Sequence, residues 1–133
     1  MEIIKVRSRE REQLVEFTDE VRRRLAATRA RRGVCVLYVQ HTTAGLTINE
    51  NADPDVGRDM LMHLRALIPQ HGAGFRHGEE NSDAHIKTTL VGTSLNIPFD
   101  DGELLLGRWQ GIFLCEFDGA RERQVIMQVM SSE

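Results

Sequence analysis

The segment Val34 to Gln40 constrains the fold of this chain more than any other. Cys35, Leu37 and Val39 fall on one alternating face, and Val34, Val36 and Tyr38 on the other, so both faces are apolar. A strand of that kind is expected at the centre of a sheet with both sides covered. Sheet and cover must be built from 133 residues. That length suits one domain over 1–133 with one core. Apolar residues make up 41% and charged residues 28%, enough to close a core and too little charge for disorder.

The remaining pattern supplies the partners. Ile3 to Val6 and Gln13 to Phe17 read as short strands. Thr18 is placed to cap a helix from about Asp19 to Ala30, with Val21 and Leu25 inward and the arginines outward. Gly33 then reads as its left-handed C′ glycine. Leu46 to Asn49 is a further strand. Asp53-Pro54-Asp55 opens a second helix, since Asp53 can cap, Pro54 loses no helical bond at the first position, and Asp55 sits in the favourable field of the terminus. Val56, Met60, Leu64 and Leu67 recur at helical spacing until Pro69. Ser82 or Asp83 caps a third helix to about Val91. Thr93 to Phe99, Glu103 to Leu106, Gln110 to Phe117 and Arg123 to Met130 are strands, joined in part by turns at Asp101-Gly102 and Asp118 to Arg121. The expected class is α+β: a compact, mostly antiparallel, sandwich-like sheet system covered by two or three helices.

Several classes of function are disfavoured. A net charge of −3 argues against a general nucleic-acid surface. No apolar run is long enough for a bilayer, and Met1 to Val6 has no signal-peptide pattern, so no membrane association and a cytoplasmic location are expected. Cys35 and Cys115 sit in apolar runs without paired-ligand spacing and read as small core residues. The arginines from Arg22 to Arg32 read as a solvated helix face.

Two polar clusters remain. His41-Thr-Thr-Ala-Gly-Leu-Thr-Ile-Asn-Glu50 ends the central strand with an imidazole, hydroxyls, an amide and a carboxylate. Polar side chains so near a core either satisfy one another or face a wet cavity. His41 can be a base, a metal ligand or a hydrogen-bonded edge residue. Glu50 can orient a histidine, act as acid or base, or serve only as a hydrogen-bonding group. The second cluster is His77, Asn81, Ser82, Asp83, His85 and Lys87. Its helix N-terminus near Ser82 is a natural seat for phosphate, with Lys87 at the rim. His41, His77 and His85 can form a three-histidine metal site, though no H-E-x-x-H or C-x-x-C spacing supports one.

Four segments, His41 to Val56, Asn81 to Lys87, Gly107-Arg-Trp-Gln-Gly111 and Glu116-Phe-Asp-Gly-Ala-Arg121, resemble the YjbQ-like family, UPF0047. Arg108 and Ala120 depart from residues common there. The resemblance implies a β-rich homotrimer with a pocket near a subunit boundary, lined by His41, Thr43, Asn49, Glu50, His77, Asn81 and His85. It also implies secondary thiamine-phosphate synthase activity, which joins hydroxymethylpyrimidine diphosphate to thiazole phosphate and releases diphosphate. On that basis His41, Glu50 and His85 are the expected catalytic groups. Thr43, Asn49, Arg58, Arg76, Asn81, Ser82 and Lys87 are the expected substrate contacts, and a divalent metal such as zinc or magnesium the expected ion. The thiazole nitrogen needs no deprotonation, so such a site must hold two anions and stabilise the leaving diphosphate. The alternatives are a metal-dependent hydrolase of a phosphorylated metabolite, or a non-enzymatic module that binds one.

Overall fold

In a computed structural model, which describes residues 1–132, the strands are β1 (Glu2–Arg7), β2 (Gln13–Glu16), β3 (Gly33–Val39), β4 (Ala44–Glu50), β5 (Ser94–Asp100), β6 (Glu103–Leu104), β7 (Gln110–Glu116) and β8 (Glu122–Ser131). The helices are α1 (Thr18–Thr28), α2 (Pro54–Leu67) and α3 (Ser82–Val91). All strand pairings are antiparallel, in a five-stranded sheet ordered β1-β8-β3-β5-β6 and a three-stranded sheet ordered β2-β7-β4. This is the expected α+β class.

The inner faces of the two sheets share one core. Ile4, Leu37, Val39, Ile97, Phe99, Val125 and Met127 of the larger sheet join Leu46, Ile112 and Leu114 of the smaller one, and Phe17, Val21 and Leu25 close an edge. The back of the small sheet is covered by the helices, where Cys115 and Phe117 join Ala84 of α3, with Leu14, Leu61, Leu64 and Val91 packed alongside. Both cysteines are buried and unpaired, as expected, and burial pushes their thiols up to about 11 for Cys35 and about 12 for Cys115.

The doubly covered strand is therefore β7, not β3. Ile112 and Leu114 of β7 face the shared core while Cys115 faces the helices. On β3 only the Cys35, Leu37, Val39 face is covered; Val34 and Tyr38 are 37% and 45% exposed. Cross-strand neighbours extend this open face: Met130 and Pro98 flank Val34, and Ile126 flanks Tyr38.

Three expected helix caps shift; at α3 the cap position is Asn81, and Ser82 and Asp83 are already helical. Thr18 does not cap α1; it is the first helical residue, and its Oγ1 donates to Glu16 at 2.8 Å while accepting from Ile112 N at 2.8 Å. Gly33 is not the helix's C′ glycine. Arg29 takes the left-handed turn at φ 60°, and Gly33 opens β3, where a Cβ would fall 2.0 Å from the Met130 carbonyl oxygen. The start of α2 is as read: the Asp53 carboxylate accepts from Asp55 N at 2.9 Å, with Pro54 at the first position.

Candidate functional site

The chain leaves β3 through His41 and Thr42, and α3 packs beside this exit. The two elements meet because β4 and the end of α3 approach at backbone distance: Leu46 N donates to the Gly92 carbonyl at 3.0 Å. Gly45 permits this, since a Cβ there would stand 2.5 Å from the Gly92 oxygen. Between them lies an open cleft of ≈ 660 Å³, lined by His41 and Thr42, by His85, Thr88 and Thr89 of α3, and by Thr93. Tyr38 and Gln40 continue the wall. The lining contains hydroxyls, imidazoles and an amide, but no carboxylate, lysine or arginine.

His41 is held by the sheet itself. The β3–β8 ladder runs out at Val39 opposite Val125. The next N–H on β8, that of Gln124, would face an absent strand. The His41 Nε2 accepts it instead, at 3.0 Å. A ring that accepts at Nε2 while neutral carries its proton on Nδ1. Partial burial, reinforced by nearby Arg123 and Arg121, holds the His41 pKa below its ordinary value of 6.5, against an opposing pull from Glu116. His41 is thus a neutral ring with a fixed tautomer, offering a donor from Nδ1 rather than a free lone pair.

Beneath this turn is a buried ionic network that sequence reasoning missed. Arg123, 1% exposed, pairs with fully buried Glu116 through Nε at 2.9 Å and through a closer Nη2 contact. The same Nη2 donates to Thr43 Oγ1 at 2.9 Å, and Ser8 Oγ donates to Glu116 at 2.7 Å. Burial raises the Glu116 pKa, but the bonds from Arg123 and Ser8 outweigh it and keep the carboxyl below its usual range. Arg123 therefore clamps the turn that carries His41 and Thr42. Thr43 serves this clamp and does not line the cleft. The only local hint was a glutamate at the end of an apolar strand; its partner is set by register, which spacing along the chain does not reveal.

The expected site residues separate into groups. His41 and His85 come together in the cleft. His77 does not line it; its ring meets His85 edge-on, with centroids 5.7 Å apart, on an exposed loop. Glu50 leaves the site, because β4 carries the chain roughly 20 Å from the His41 turn at about 3.3 Å per residue. Its carboxylate accepts from Asp53 N at 3.2 Å, and Asn49 Oδ1 accepts from Glu50 N at 2.7 Å, so both shape the entry to α2. Arg58 on α2 and Arg76 in the loop before α3 are exposed and outside the lining.

Lys87 is not a rim cation. It is fully buried, and its Nζ donates to Asp83 at 2.7 Å and to Glu12 at 2.9 Å. Asp83 also receives Arg11; these bonds overcome the effect of burial and hold its carboxyl below the usual range. The cluster ties α3 to the segment before β2. Asn81 is buried at the helix start; its amide nitrogen donates to Asp118 at 2.8 Å, and its oxygen makes no cap bond to the helix. Ser82 opens α3 but the cleft is formed by later turns, near His85 and Thr88, not by the helix N-terminus.

A metal at His41, His77 and His85 does not fit the protomer. Nε2 of His41 is engaged, His77 is outside the cleft, and among the described residues no group of three or more His, Cys, Asp or Glu side chains is arranged to hold an ion. Among the described residues, the Thr88 hydroxyl and the Asn81 Oδ1 are buried without a hydrogen-bond partner.

Comparison with known proteins accounts for nearly the whole chain. The family model described as UPF0047 protein YjbQ-like matches residues 2–132. A UPF0047 protein of Methanocaldococcus jannaschii is 46% identical over 128 residues, covering 96% of this chain and 92% of the relative. YugU of Bacillus subtilis is 41% identical over 130 residues, covering 98% of each. A crystal structure of a YjbQ/UPF0047 family protein from Clostridium acetobutylicum superposes with a TM-score of 0.95 at 41% identity, covering 98% of this chain and 100% of that one. With sequence and architecture in agreement from end to end, this chain belongs to the YjbQ-like UPF0047 family.

Proposed function

We propose that the His41–His85 cleft binds a small phosphorylated metabolite and supports thiamine-phosphate synthase-type transfer. The observation that carries this is the lining itself: two imidazoles and four threonines, without a carboxylate. Preorganised hydroxyl and imidazole donors suit phosphoryl oxygens, and negative side chains would repel them. In the transfer, the bond from the pyrimidine methylene to the diphosphate oxygen breaks and a bond to the thiazole nitrogen forms. Diphosphate takes the electron pair. The attacking nitrogen has no proton to lose, so a cleft without a carboxylate base is compatible with this chemistry. His41 would donate from Nδ1 to a phosphate oxygen, and His85 would hold the opposite side. A divalent ion, magnesium or zinc, would enter as a partner of the diphosphate rather than as a resident of the three histidines. A metal-dependent hydrolase would need that resident ion, and the engaged Nε2 of His41 counts against it.

The open face of the five-stranded sheet supports a homotrimer as the working state. Ile3, Val34, Tyr38 and Met130 are exposed on strands β1, β3 and β8. Apolar surface on a central strand gains from burial against another copy. Because Tyr38 also lines the cleft, such packing would bring the neighbour to the cleft's edge.

The test is direct: hydroxymethylpyrimidine diphosphate and thiazole phosphate are incubated with the protein, and thiamine phosphate and diphosphate are measured. We expect slow equimolar production of both, lost in His41→Ala and His85→Ala. Saturable binding without product would favour the binding module. Product formation unchanged in both variants would remove the cleft from the account.

A further inference from the structure

Thr88 and Thr89 are adjacent on α3, both line the cleft, and their hydroxyls are treated differently by the fold. Thr89 Oγ1 donates to the His85 carbonyl at 2.9 Å, the usual way a threonine inside a helix satisfies itself. Thr88 is only 5% exposed and its hydroxyl has no partner. A buried hydroxyl left unpaired is costly, and valine would fill the same volume without that cost. The residue is therefore poorly explained by packing. It stands one turn along α3 from His85, at i and i+3, a spacing that brings side chains together. His41 lines the same cleft and, with Nε2 accepting from Gln124 N, carries its ring proton on Nδ1.

We infer that Thr88 is a ligand-contacting residue whose hydroxyl donates to an anionic oxygen held between His41 and His85, so that the site recognises a phosphate or diphosphate group without a lysine or arginine. This rests on the phosphorylated-ligand function proposed above and adds a residue and a mode of recognition to it. Recognition without lysine or arginine has a signature. Binding by lysines or arginines weakens steeply as salt screens the charges. Donation from hydroxyl and imidazole weakens less, because no lysine or arginine charge is there to be screened. The hydroxyl also distinguishes Thr88 from its neighbour, since the Thr89 proton is already committed to the helix backbone.

The experiment compares the full-length wild type with Thr88→Val and Thr88→Ser. Binding of inorganic diphosphate and of inorganic phosphate is measured by calorimetry at low and high salt, and thermal unfolding is measured without ligand. Thr88→Val is expected to unfold at the same temperature as the wild type or higher, and to bind diphosphate about ten- to a hundredfold more weakly, the loss typical of a hydrogen bond to a charged group. Thr88→Ser is expected to retain binding. Equal affinity in all three proteins overturns the role of Thr88 and leaves the cleft reading intact. A Thr88→Val protein that is clearly less stable without ligand overturns it too, because the hydroxyl would then have a structural partner. Failure of the wild type to bind either anion removes the phosphate reading, and this inference with it.

Discussion

At His41 one hydrogen bond decides the chemistry. An imidazole that accepts a backbone N–H at Nε2 cannot also take a proton there without breaking that bond. Its pKa is depressed, with burial the leading cause. The unfolded chain therefore binds the His41 proton more readily than the folded one. The resulting stabilisation is complete above the ordinary value of 6.5 and is lost as pH falls through the lower folded value. Urea unfolding of the wild type and of His41→Gln between about pH 8 and about pH 5 should show this. We expect a stability difference that is constant at the alkaline end and shrinks on acidification; a difference that grows instead would mean the ring is protonated in the native state. The position of His41 at the end of an apolar strand was legible in the sequence, because a polar cluster interrupts a buried run. Its tautomer was not, because Gln124 lies 83 residues away and is brought near only by the ladder.

Between elements, the Glu116–Arg123 pair joins the end of β7 to the start of β8 and reaches the turn after β3 through Thr43. Removing one partner from a buried pair strands the other, at a typical cost of about 3–5 kcal/mol. Arg123→Met should therefore destabilise by about that amount, while Arg123→Met combined with Glu116→Leu should recover much of it. Chemical denaturation checks both; a double variant as unstable as the two single losses added together would show that the ions are not acting on each other. The Lys87–Asp83–Glu12 cluster behaves alike for α3: Lys87→Met should cost stability on the same scale, about 3–5 kcal/mol, without abolishing diphosphate binding in the protein that remains folded. Calorimetry on that fraction would expose a direct ligand contact. Elements with local signals were readable, as Asp53-Pro54 was for α2. At Lys87 and Thr18 the sequence pattern misleads for the opposite reason. Their partners, Glu12 and Ile112, are 75 and 94 residues distant, and local spacing offered each a simpler role as rim cation or helix cap.

For the molecule as a whole, the sequence pattern of β3 was informative in a way that one chain alone does not explain. Its second apolar face, marked by Val34, Val36 and Tyr38, lacks the cover its composition calls for. Burial of that face between copies would resolve the mismatch. Val36 lies at its middle, between Gln128 and Asn96. Val36→Lys would place a charge there, and burying an unpaired charge is strongly unfavourable. By sedimentation we expect a trimer for the wild type and smaller species for the variant; a monomeric wild type would leave the open face without a role. Among the described residues no helix is long and apolar enough to cross a membrane, so no bilayer-spanning helix accounts for it.

The central claim is that His41 and His85 act on one phosphorylated ligand. The chain has five histidines, and His63 and His71 lie outside the cleft, so they serve as internal references. Nitrogen-15 NMR of the imidazoles during a diphosphate titration reads all of them together. We expect the His41 and His85 resonances to move along one saturation curve, with His41 retaining its Nδ1 proton throughout, while His63 and His71 stay fixed. Movement confined to His63 or His71, or no movement of His41 and His85 at saturating diphosphate, would contradict it.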